Sequence, residues 1–441
     1  MYLHHYYTGL NYISNQAPEV TWKEKGWKEK HAPGVLKWVK FVKDNPRCEK
    51  VVSKIGILRS KGCYWKGPMS CVPWTPEERK SNWVHMAGLG KYYFKGFPFK
   101  EEADYPYLDI FFPKFSDDTA TLTANWFTGT PYGPVDIIYP MMRLEDMKKY
   151  NSIIFLGYNR MDLVREDFLN DLIKYVKDGG MVLLSIDQLK DIKDKIDVEK
   201  LDNFLGARIG SEVFPNMLPK KRITNYIEVI EATPFNLNKK SYKVSDKIGL
   251  LEGGTDASTS KIEHPYLYKT TPKEAKVIAR DKENNPVLLL NKYGKGYIFL
   301  FTTPTLSMIP PVGKSPFVSD VINKVSSFKP LPVDISPENE DVEFILSKTG
   351  DKEATIFVMN HGEKDYEGDI IVNLKAAGLS KGIGKKITAK VVTGYDNIKD
   401  ITPEVIREGN KLVIKGITLK GDTKDFCSYR QASFAYIKMG K

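Results

Sequence analysis

Four short apolar runs lie between residues 54 and 187, separated by segments with other patterns. Uninterrupted apolar runs of this length are typical of parallel strands that are covered on both faces of a sheet. The runs span residues 54–60, 135–141, 152–158 and 181–187. They predict an α/β domain that begins near residue 51.

The segment between the third and fourth runs, VREDFLNDLIKYVKDGG, has helical periodicity. Leu169, Leu172, Ile173 and Val176 recur at the spacing of one helical face, and a polar first turn precedes them. Gly179 is the predicted C-cap of this helix. Strand, helix and strand together predict a βαβ unit.

A second apolar pair, NPVLLLNKYGKGYIFLFTTP at residues 285–304, contains a glycine turn between two strand-like runs. This pattern predicts a β-hairpin, which we expect to close one edge of the sheet.

After the loop KPLPVDISPENED the hydrophobic period changes to two. Six short alternating segments follow, with almost no helical pattern between them: VEFILSK, EATIFVMN, GDIIVNL, ITAKVVTG, KLVIKGITL and ASFAYIKM. Short strands at this spacing predict a β-sandwich of about 100 residues. We therefore place a domain boundary near residue 330.

The first fifty residues predict one strand (YYTGLNYIS), a polar aromatic loop and one helix (VLKWVKFVKDNP). Val35, Leu36, Trp38, Val39, Phe41 and Val42 lie on an apolar stripe of that helix, and Asn45-Pro46 ends it. One strand and one helix cannot form a domain, so they need a partner sheet. The apolar opening also suggests that further sequence precedes residue 1.

Three of these segments resemble parts of the β-galactosidases of glycoside hydrolase family 42. YNSIIFLGYNRMDLVREDFLNDLIKYVKDGGMVLLSID resembles the central strand, helix and strand of their class I glutamine amidotransferase-like domain. YGKGYIFLF resembles the hairpin of that domain. GLNYISNQAPEVTW and its helix resemble the end of the (β/α)₈ barrel that precedes the domain.

The resemblance implies an order of parts along the whole chain. Residues 1–50 would be the last strand and helix of a (β/α)₈ (TIM) barrel. Residues 51–330 would be a noncatalytic, flavodoxin-like, amidotransferase-like α/β domain with a Trp-rich insertion. Residues 331–441 would be the C-terminal β-sandwich. In such barrels both catalytic carboxylates come from earlier strands, so the resemblance implies that this chain carries no catalytic residue.

The end of the fourth run also argues against hydrolysis at this domain. An amidotransferase has a cysteine on a tight glycine-flanked turn here, and a serine hydrolase needs G-x-S-x-G with a His-acid pair. The chain has Ser185, Ile186 and Asp187 instead. We interpret these residues as a buried strand end followed by a capping aspartate.

The net charge and the composition limit the kinds of molecule that this protein is expected to bind. The net charge of +11 comes from 66 basic and 55 acidic residues, and the basic ones are dispersed singly among apolar positions. This pattern is typical of a solvated Lys-rich surface and argues against a nucleic-acid partner. No apolar run reaches the ~18 residues needed to span a bilayer, and the first residues do not resemble a signal peptide. These features do not indicate a particular cellular compartment.

The four cysteines, Cys48, Cys63, Cys71 and Cys427, show neither C-x-x-C spacing nor a histidine partner at zinc spacing. We therefore predict no metal site and no cofactor. Cys63 and Cys71 either bridge a local loop or stay free thiols.

All seven tryptophans fall within the first 126 residues, where a sugar ring would find stacking surfaces. Residues at the carboxyl end of a barrel strand line its mouth. The predicted carbohydrate-contacting residues are accordingly Asn15, Gln16, Glu19 and Trp22, with Trp65 and Trp74 from the insertion. The alternatives are ordinary loop or packing roles, and for the insertion a subunit interface.

Three hypotheses follow. The first is the C-terminal portion or a subunit of a glycoside hydrolase, which completes and supports a catalytic barrel and mediates oligomerisation. Its partners would be a carbohydrate and a barrel-bearing polypeptide or missing N-terminal portion. The second is a noncatalytic carbohydrate-binding or structural assembly protein. The third, an active hydrolase centred on Ser185, is the least favoured.

Overall fold

The structure is a computed structural model that describes residues 32–58, 132–138, 141–156, 167–186, 189, 197–213, 226–230, 233–243, 268–281, 283–302, 316–339, 341–360, 362, 364–393, 397–421 and 433–440. These residues form two compact units. The α/β unit contains residues 55–58 and the described residues of 135–329. The sandwich unit contains residues 32–54, 132–134 and the described residues from 330 onward.

The described helices, numbered in chain order, are α1 (Ala32–Asp44), α2 (Leu144–Met147), α3 (Phe168–Lys177), α4 (Val198–Leu205), α5 (Pro316–Ser327) and α6 (Leu374–Ala377). The strands before residue 300 are β1 (Lys50–Val51), β2 (Ile55–Leu58), β3 (Val135–Ile138), β4 (Ser152–Phe155), β5 (Met181–Ser185), β6 (Ala207–Val213), β7 (Tyr226–Val229), β8 (Ser241–Lys243), β9 (Tyr268–Pro272), β10 (Lys276–Asp281), β11 (Pro286–Tyr293) and β12 (Gly296–Phe301). The remaining strands are β13 (Val333–Ser336), β14 (Val342–Thr349), β15 (Glu353–Asn360), β16 (Tyr366–Asn373), β17 (Lys386–Thr393), β18 (Asn397–Ile401), β19 (Val405–Glu408), β20 (Lys411–Leu419) and β21 (Ser433–Gly440).

The α/β unit is built on a nine-stranded sheet with the order β3-β2-β4-β5-β12-β11-β10-β7-β8. The four predicted apolar runs form β2, β3, β4 and β5, which pair in parallel, and β12 continues the parallel part beside β5. The predicted parallel sheet is thus confirmed. The central strands β2, β4 and β5 are fully buried, as their apolar runs indicated, whereas Val135 of the edge strand β3 is half-buried and Asp136 is exposed.

The predicted hairpin forms between β11 and β12, with Tyr293 paired to Gly296. The expectation that it closes the sheet is wrong. Beyond β11 lie three more antiparallel strands, β10, β7 and β8, so the hairpin lies inside the sheet. These strands are short and polar in places, so hydrophobic periodicity does not predict them.

Helix α3 joins β4 to β5, and its predicted apolar stripe is buried. The predicted C-cap is off by one residue: Asp178 is the C-cap, and Gly179 follows it with a φ of +120°. Gly180 has a different reason to be glycine. A Cβ atom there would lie 2.2 Å from the Tyr175 ring, so only glycine fits without a shift. This Gly-Gly pair brings the chain tightly from helix to strand.

The sandwich unit has a six-stranded sheet, β1-β14-β15-β21-β17-β18, and a four-stranded sheet, β13-β16-β20-β19. The six strands predicted from the period of two are β14, β15, β16, β17, β20 and β21. Phe344 and Leu346 of β14 share a buried cluster with Ile370 and Val372 of β16. Neighbouring residues such as Ile345 belong to a different cluster, as the alternation of side chains in a strand requires.

Helix α1 belongs to the sandwich unit, and among its described side chains Phe41 is the aromatic one that anchors it. The Phe41 ring meets the rings of Phe434 and Tyr436 edge-on, with centroid distances of 5.5 Å and 6.2 Å. The helix ends at Asp44 before Asn45-Pro46, as predicted. The predicted apolar stripe is buried only in part: Phe41 is 6% exposed, whereas Leu36 and Val39 are 69% and 47% exposed.

Candidate functional site

The carboxyl ends of the parallel strands are the place where an open α/β sheet normally binds ligands. Because the strands are parallel, Leu58, Ile138, Phe155, Ser185 and Phe301 end at one edge of the sheet. All five side chains are buried. Among the described residues, these strand ends are therefore buried, and four of the five side chains are apolar.

Ser185 is paired in parallel register with Phe301, and its side chain is fully buried. A nucleophilic serine must reach a substrate and must contact a general base. Asp187, the predicted capping residue, lies outside the described residues. So do all six histidines of the chain: His4, His5, His31, His85, His264 and His361.

The next strand end is equally unsuited to nucleophilic chemistry. The hydroxyl of Thr302, which follows β12, is buried and donates to the carbonyl oxygen of Pro286 at 2.6 Å. This bond ties the end of β12 to the start of β11. Thr302 is therefore a structural residue.

A buried carboxylate with two cationic partners lies at the end of α4. Asp202 accepts hydrogen bonds from Arg208 Nε at 2.9 Å and from Lys273 Nζ at 2.8 Å. Burial by itself raises the pKa of Asp202, but the hydrogen bonds from Lys273 and Arg208 outweigh it, so the net shift is downward. A glycosidase general acid must hold its proton near neutral pH, which is the opposite requirement. Asp202 therefore stabilises the fold.

A second buried carboxylate, Asp281, shapes a turn. Its Oδ1 atom accepts the backbone N–H groups of Glu283 and Asn285 at 2.9 Å and 2.8 Å. Its Oδ2 atom accepts the side-chain amide of Asn285 at 2.9 Å. Both oxygens are occupied within the turn, which also holds Asn284 at a φ of +68°.

The sandwich unit has an open groove of about 440 Å³, lined by Pro46, Arg47, Cys48, Glu49, Thr349, Glu353 and Lys438. Two of its charged groups are paired with each other, since Lys438 Nζ lies 2.8 Å from Glu353 Oε1, and Arg47 donates to the carbonyl oxygens of Cys48 and Glu49 at 3.1 Å. Burial raises the pKa of the Cys48 thiol, so the reactive thiolate is disfavoured. Cys48 also donates its backbone N–H to Ser347 Oγ at 3.1 Å, which makes it part of the packing.

Among the described residues, no group of three or more His, Cys, Asp or Glu side chains is placed to hold a metal ion. Within the same residues, no helix is long and apolar enough to cross a bilayer. The predicted carbohydrate-contacting residues Asn15, Gln16, Glu19, Trp22, Trp65 and Trp74 lie outside the described residues, and so do Cys63 and Cys71. Those assignments stay predictions.

One surface feature was not recognised from the sequence. Leu36 and Val39 are three residues apart on α1, so they lie on the same side of the helix, and both face solvent. The pattern of apolar residues did indicate the stripe. The pattern did not indicate that, among the described residues of this stripe, Phe41 alone would join the buried cluster.

No protein-family model matches the sequence, and no curated protein matches it at significant similarity. Among solved structures it is similar to a β-galactosidase from Bacillus circulans sp. alkalophilus, with 14% identity and a TM-score of 0.46 over 91% of this chain and 43% of that chain. It is also similar to a GH42 β-galactosidase from G. stearothermophilus, with 12% identity and a TM-score of 0.41 over 88% and 40%.

A third similar structure is α-L-fucosidase isoenzyme 2 from Paenibacillus thiaminolyticus, with 9% identity and a TM-score of 0.46 over 89% of this chain and 49% of that chain. These structural neighbours at low identity are glycoside hydrolases. The chain spans less than half of the length of each. The function proposed below rests on this chain's own residues.

Proposed function

We propose that this chain is the C-terminal portion or a subunit of a multi-domain glycoside hydrolase. It completes and supports a catalytic (β/α)₈ barrel, helps the enzyme to form an oligomer, and leaves the catalytic carboxylates to the barrel. The observation that carries the proposal is helix α1, which is anchored on one side by Phe41 and presents Leu36 and Val39 to solvent.

The anchoring shows that α1 has a fixed place on the sandwich unit. Phe41 shares its buried cluster with Ile345, Phe357, Phe434 and Tyr436, so the helix cannot turn freely about its axis. Because the helix is held in one orientation, the same side chains always point away from the sandwich unit and are available to a binding partner. These include the two exposed apolar side chains.

Burial of Leu36 and Val39 by a partner would be favourable. Transfer of a Val or Leu side chain from water to an apolar contact contributes about 1.5–3 kcal/mol. A single exposed leucine is ordinary, but an apolar pair at i, i+3 on a positioned helix is typical of a helix that packs on a second surface. In a barrel, the last helix packs in this way on its ring of strands.

The described carboxylates support a noncatalytic role. Asp202 and Asp281, two of the buried acids, are engaged by structural partners, and Asp202 has a lowered pKa. Glycoside cleavage needs two carboxyl groups roughly 5–10 Å apart across a sugar, one of them protonated. The buried end of β5 offers no alternative nucleophile to a substrate.

The proposal is tested by isolation of the native assembly. The chain is tagged in its source organism, the complex is purified, its polypeptides are identified by mass spectrometry, and turnover of a panel of aryl glycosides is measured. The same panel is run with the purified chain alone. We expect turnover only when a polypeptide or segment with a (β/α)₈ barrel is present.

The interface is tested with Leu36→Glu/Val39→Glu, which should release a barrel that is a separate polypeptide, or lower the turnover of a barrel that belongs to the same polypeptide. The matched control is Ile398→Glu, because Ile398 lies on β18 of the same unit and is 51% exposed. Turnover by the isolated chain would overturn the proposal. So would an assembly without a barrel component, or a double variant that keeps both the barrel component and the full turnover of the wild-type assembly.

A further inference from the structure

Three lysines of the sandwich unit lie together without a described carboxylate between them. Lys50 of β1 is directly opposite Lys348 of β14 in the antiparallel pair. Directly opposite residues project to the same face of a sheet, and like charges in these positions destabilise the pair. Solvent screens part of this repulsion because Lys50 is exposed, and an anion bound between the two lysines would remove more of it.

Lys54 brings a third positive charge to the same place. The ladder continues past β1, where Val52 donates its N–H to the carbonyl oxygen of Leu346 at 2.8 Å, and Lys54 follows. Burial, followed by the charges of Lys348 and Lys50, lowers the pKa of Lys54. Burial and the charge of Lys50 likewise lower the pKa of Lys348, while Asp351 acts in the opposite direction. The three ammonium groups thus repel one another.

Some other lysines of this unit have close carboxylate partners. Lys415 Nζ lies 2.7 Å from Asp369, and Lys438 Nζ lies 2.8 Å from Glu353. In contrast, no carboxylate of the described residues lies within 4.0 Å of Lys50, Lys54 or Lys348. The polar contact of Lys348 is the carbonyl oxygen of Gly378, which accepts from Nζ at 2.8 Å.

The hydrogen bond to the Gly378 carbonyl positions the Lys348 ammonium. It fixes the Lys348 ammonium at the end of α6, on the side of β14 where Lys50 also projects. An ammonium group has three donors, and one bond to a carbonyl leaves two of them for another acceptor. Lys54 is partly buried, so its ammonium is less hydrated than that of a free surface lysine.

We propose that Lys50, Lys54 and Lys348 form a binding site for a small tetrahedral oxyanion, phosphate or sulfate, which is either free or the ester group of a small molecule. Such an anion accepts several charge-assisted hydrogen bonds at once and removes the repulsion among the three lysines. The site does not depend on the function proposed above, and neither the barrel partner nor a glycoside is needed to test it.

The first test is calorimetric titration of the full chain with inorganic phosphate at constant ionic strength, with chloride as the replacement salt. A second arm uses glycerol 3-phosphate to distinguish a free anion from an ester. We expect saturable binding of at least one of these probes. Since a hydrogen bond to a charged group contributes about 1.5–3 kcal/mol, Lys54→Gln and Lys348→Gln should each weaken the affinity about tenfold or more.

The matched control is Lys399→Gln, because Lys399 is an exposed lysine on β18 of the same unit. It should leave the affinity unchanged. Absence of saturable binding in both arms would overturn the proposal, and so would an equal loss in all three variants.

A site-specific measurement keeps the test independent of the variants. Lysine acetylation by an N-hydroxysuccinimide ester is followed by peptide mass spectrometry with and without phosphate. We expect several-fold protection of Lys54 and Lys348 and none of Lys399. Equal acetylation rates at Lys54 with and without phosphate would overturn the assignment.

Discussion

Replacement of Phe41 by alanine tests how firmly α1 is held on the sandwich unit. Phe41 is 6% exposed and meets two aromatic rings edge-on. A buried phenylalanine removes at least ~150 Å² from water, which at ~25 cal/mol per Å² corresponds to about 4 kcal/mol. Because a helix on an outer sheet face can relax into part of the space, we expect a loss near 3 kcal/mol for Phe41→Ala.

The assay is hydrogen exchange of the α1 and β21 amides followed by mass spectrometry, which reports the opening of the helix locally. A loss of about 3 kcal/mol corresponds to roughly a hundredfold faster exchange through this opening. Leu36→Ala is the control, since Leu36 is 69% exposed and its truncation should change stability by less than ~0.5 kcal/mol. Equal exchange rates in the two variants would refute the anchoring role of Phe41.

The remaining predictions concern the α/β unit, with one control variant, Gly350→Ala, in the sandwich unit. Asp202→Asn should lower the free energy of unfolding by about 1–2 kcal/mol at neutral pH in urea titrations. Because the folded pKa of Asp202 is lowered, its stabilisation is present above the unfolded pKa of ~3.9 and is lost as the pH falls through the folded value. The difference between wild type and Asp202→Asn should therefore shrink in acid; a constant difference would contradict the charge argument. Gly180→Ala should cost more than ~2 kcal/mol, since its Cβ would overlap the Tyr175 ring. Gly350→Ala, at a position with a φ of +60° and open space around it, should cost only about 1 kcal/mol. Similar losses of stability in Gly180→Ala and Gly350→Ala would contradict the argument that the Tyr175 ring excludes a Cβ atom at residue 180. Ser185→Ala should leave glycoside turnover by the native assembly unchanged, and a loss of turnover would restore Ser185 as a candidate nucleophile.

Much of the architecture was predictable because hydrophobic periodicity reports burial directly. The four apolar runs became the parallel strands β2 to β5, and the alternating segments became the sandwich strands. Both patterns reflect a purely local requirement, namely which faces of a strand are covered. The buried stripe of α3 was predictable for the same reason.

The errors have a common physical cause. Strands β7, β8 and β10 extend the sheet beyond the hairpin, and their polar, short sequences lack a strong period. β10 pairs with β11, β7 with β10 and β8 with β7, and these long-range pairings are set by tertiary contacts. The exposure of Leu36 and Val39 could not be predicted either, because an apolar stripe does not reveal how much of it the same chain covers.

The candidate sites were less predictable than the fold. The burial of Ser185 followed from its place at the end of a continuous apolar run, and the structure confirms it. The juxtaposition of Lys50 with Lys348 depends on a register between segments almost 300 residues apart, which no local pattern contains. The six predicted carbohydrate-contacting residues stay predictions.

The most direct test of a noncatalytic role is to label the catalytic nucleophile of the native assembly. A 2-fluoroglycoside that traps the glycosyl-enzyme intermediate of a retaining glycosidase is added to the purified complex, and the labelled peptide is identified by mass spectrometry. We predict that the label is attached to a carboxylate in a barrel peptide outside residues 1–441. A label on any Asp or Glu of these 441 residues would contradict the assignment of catalysis to the barrel.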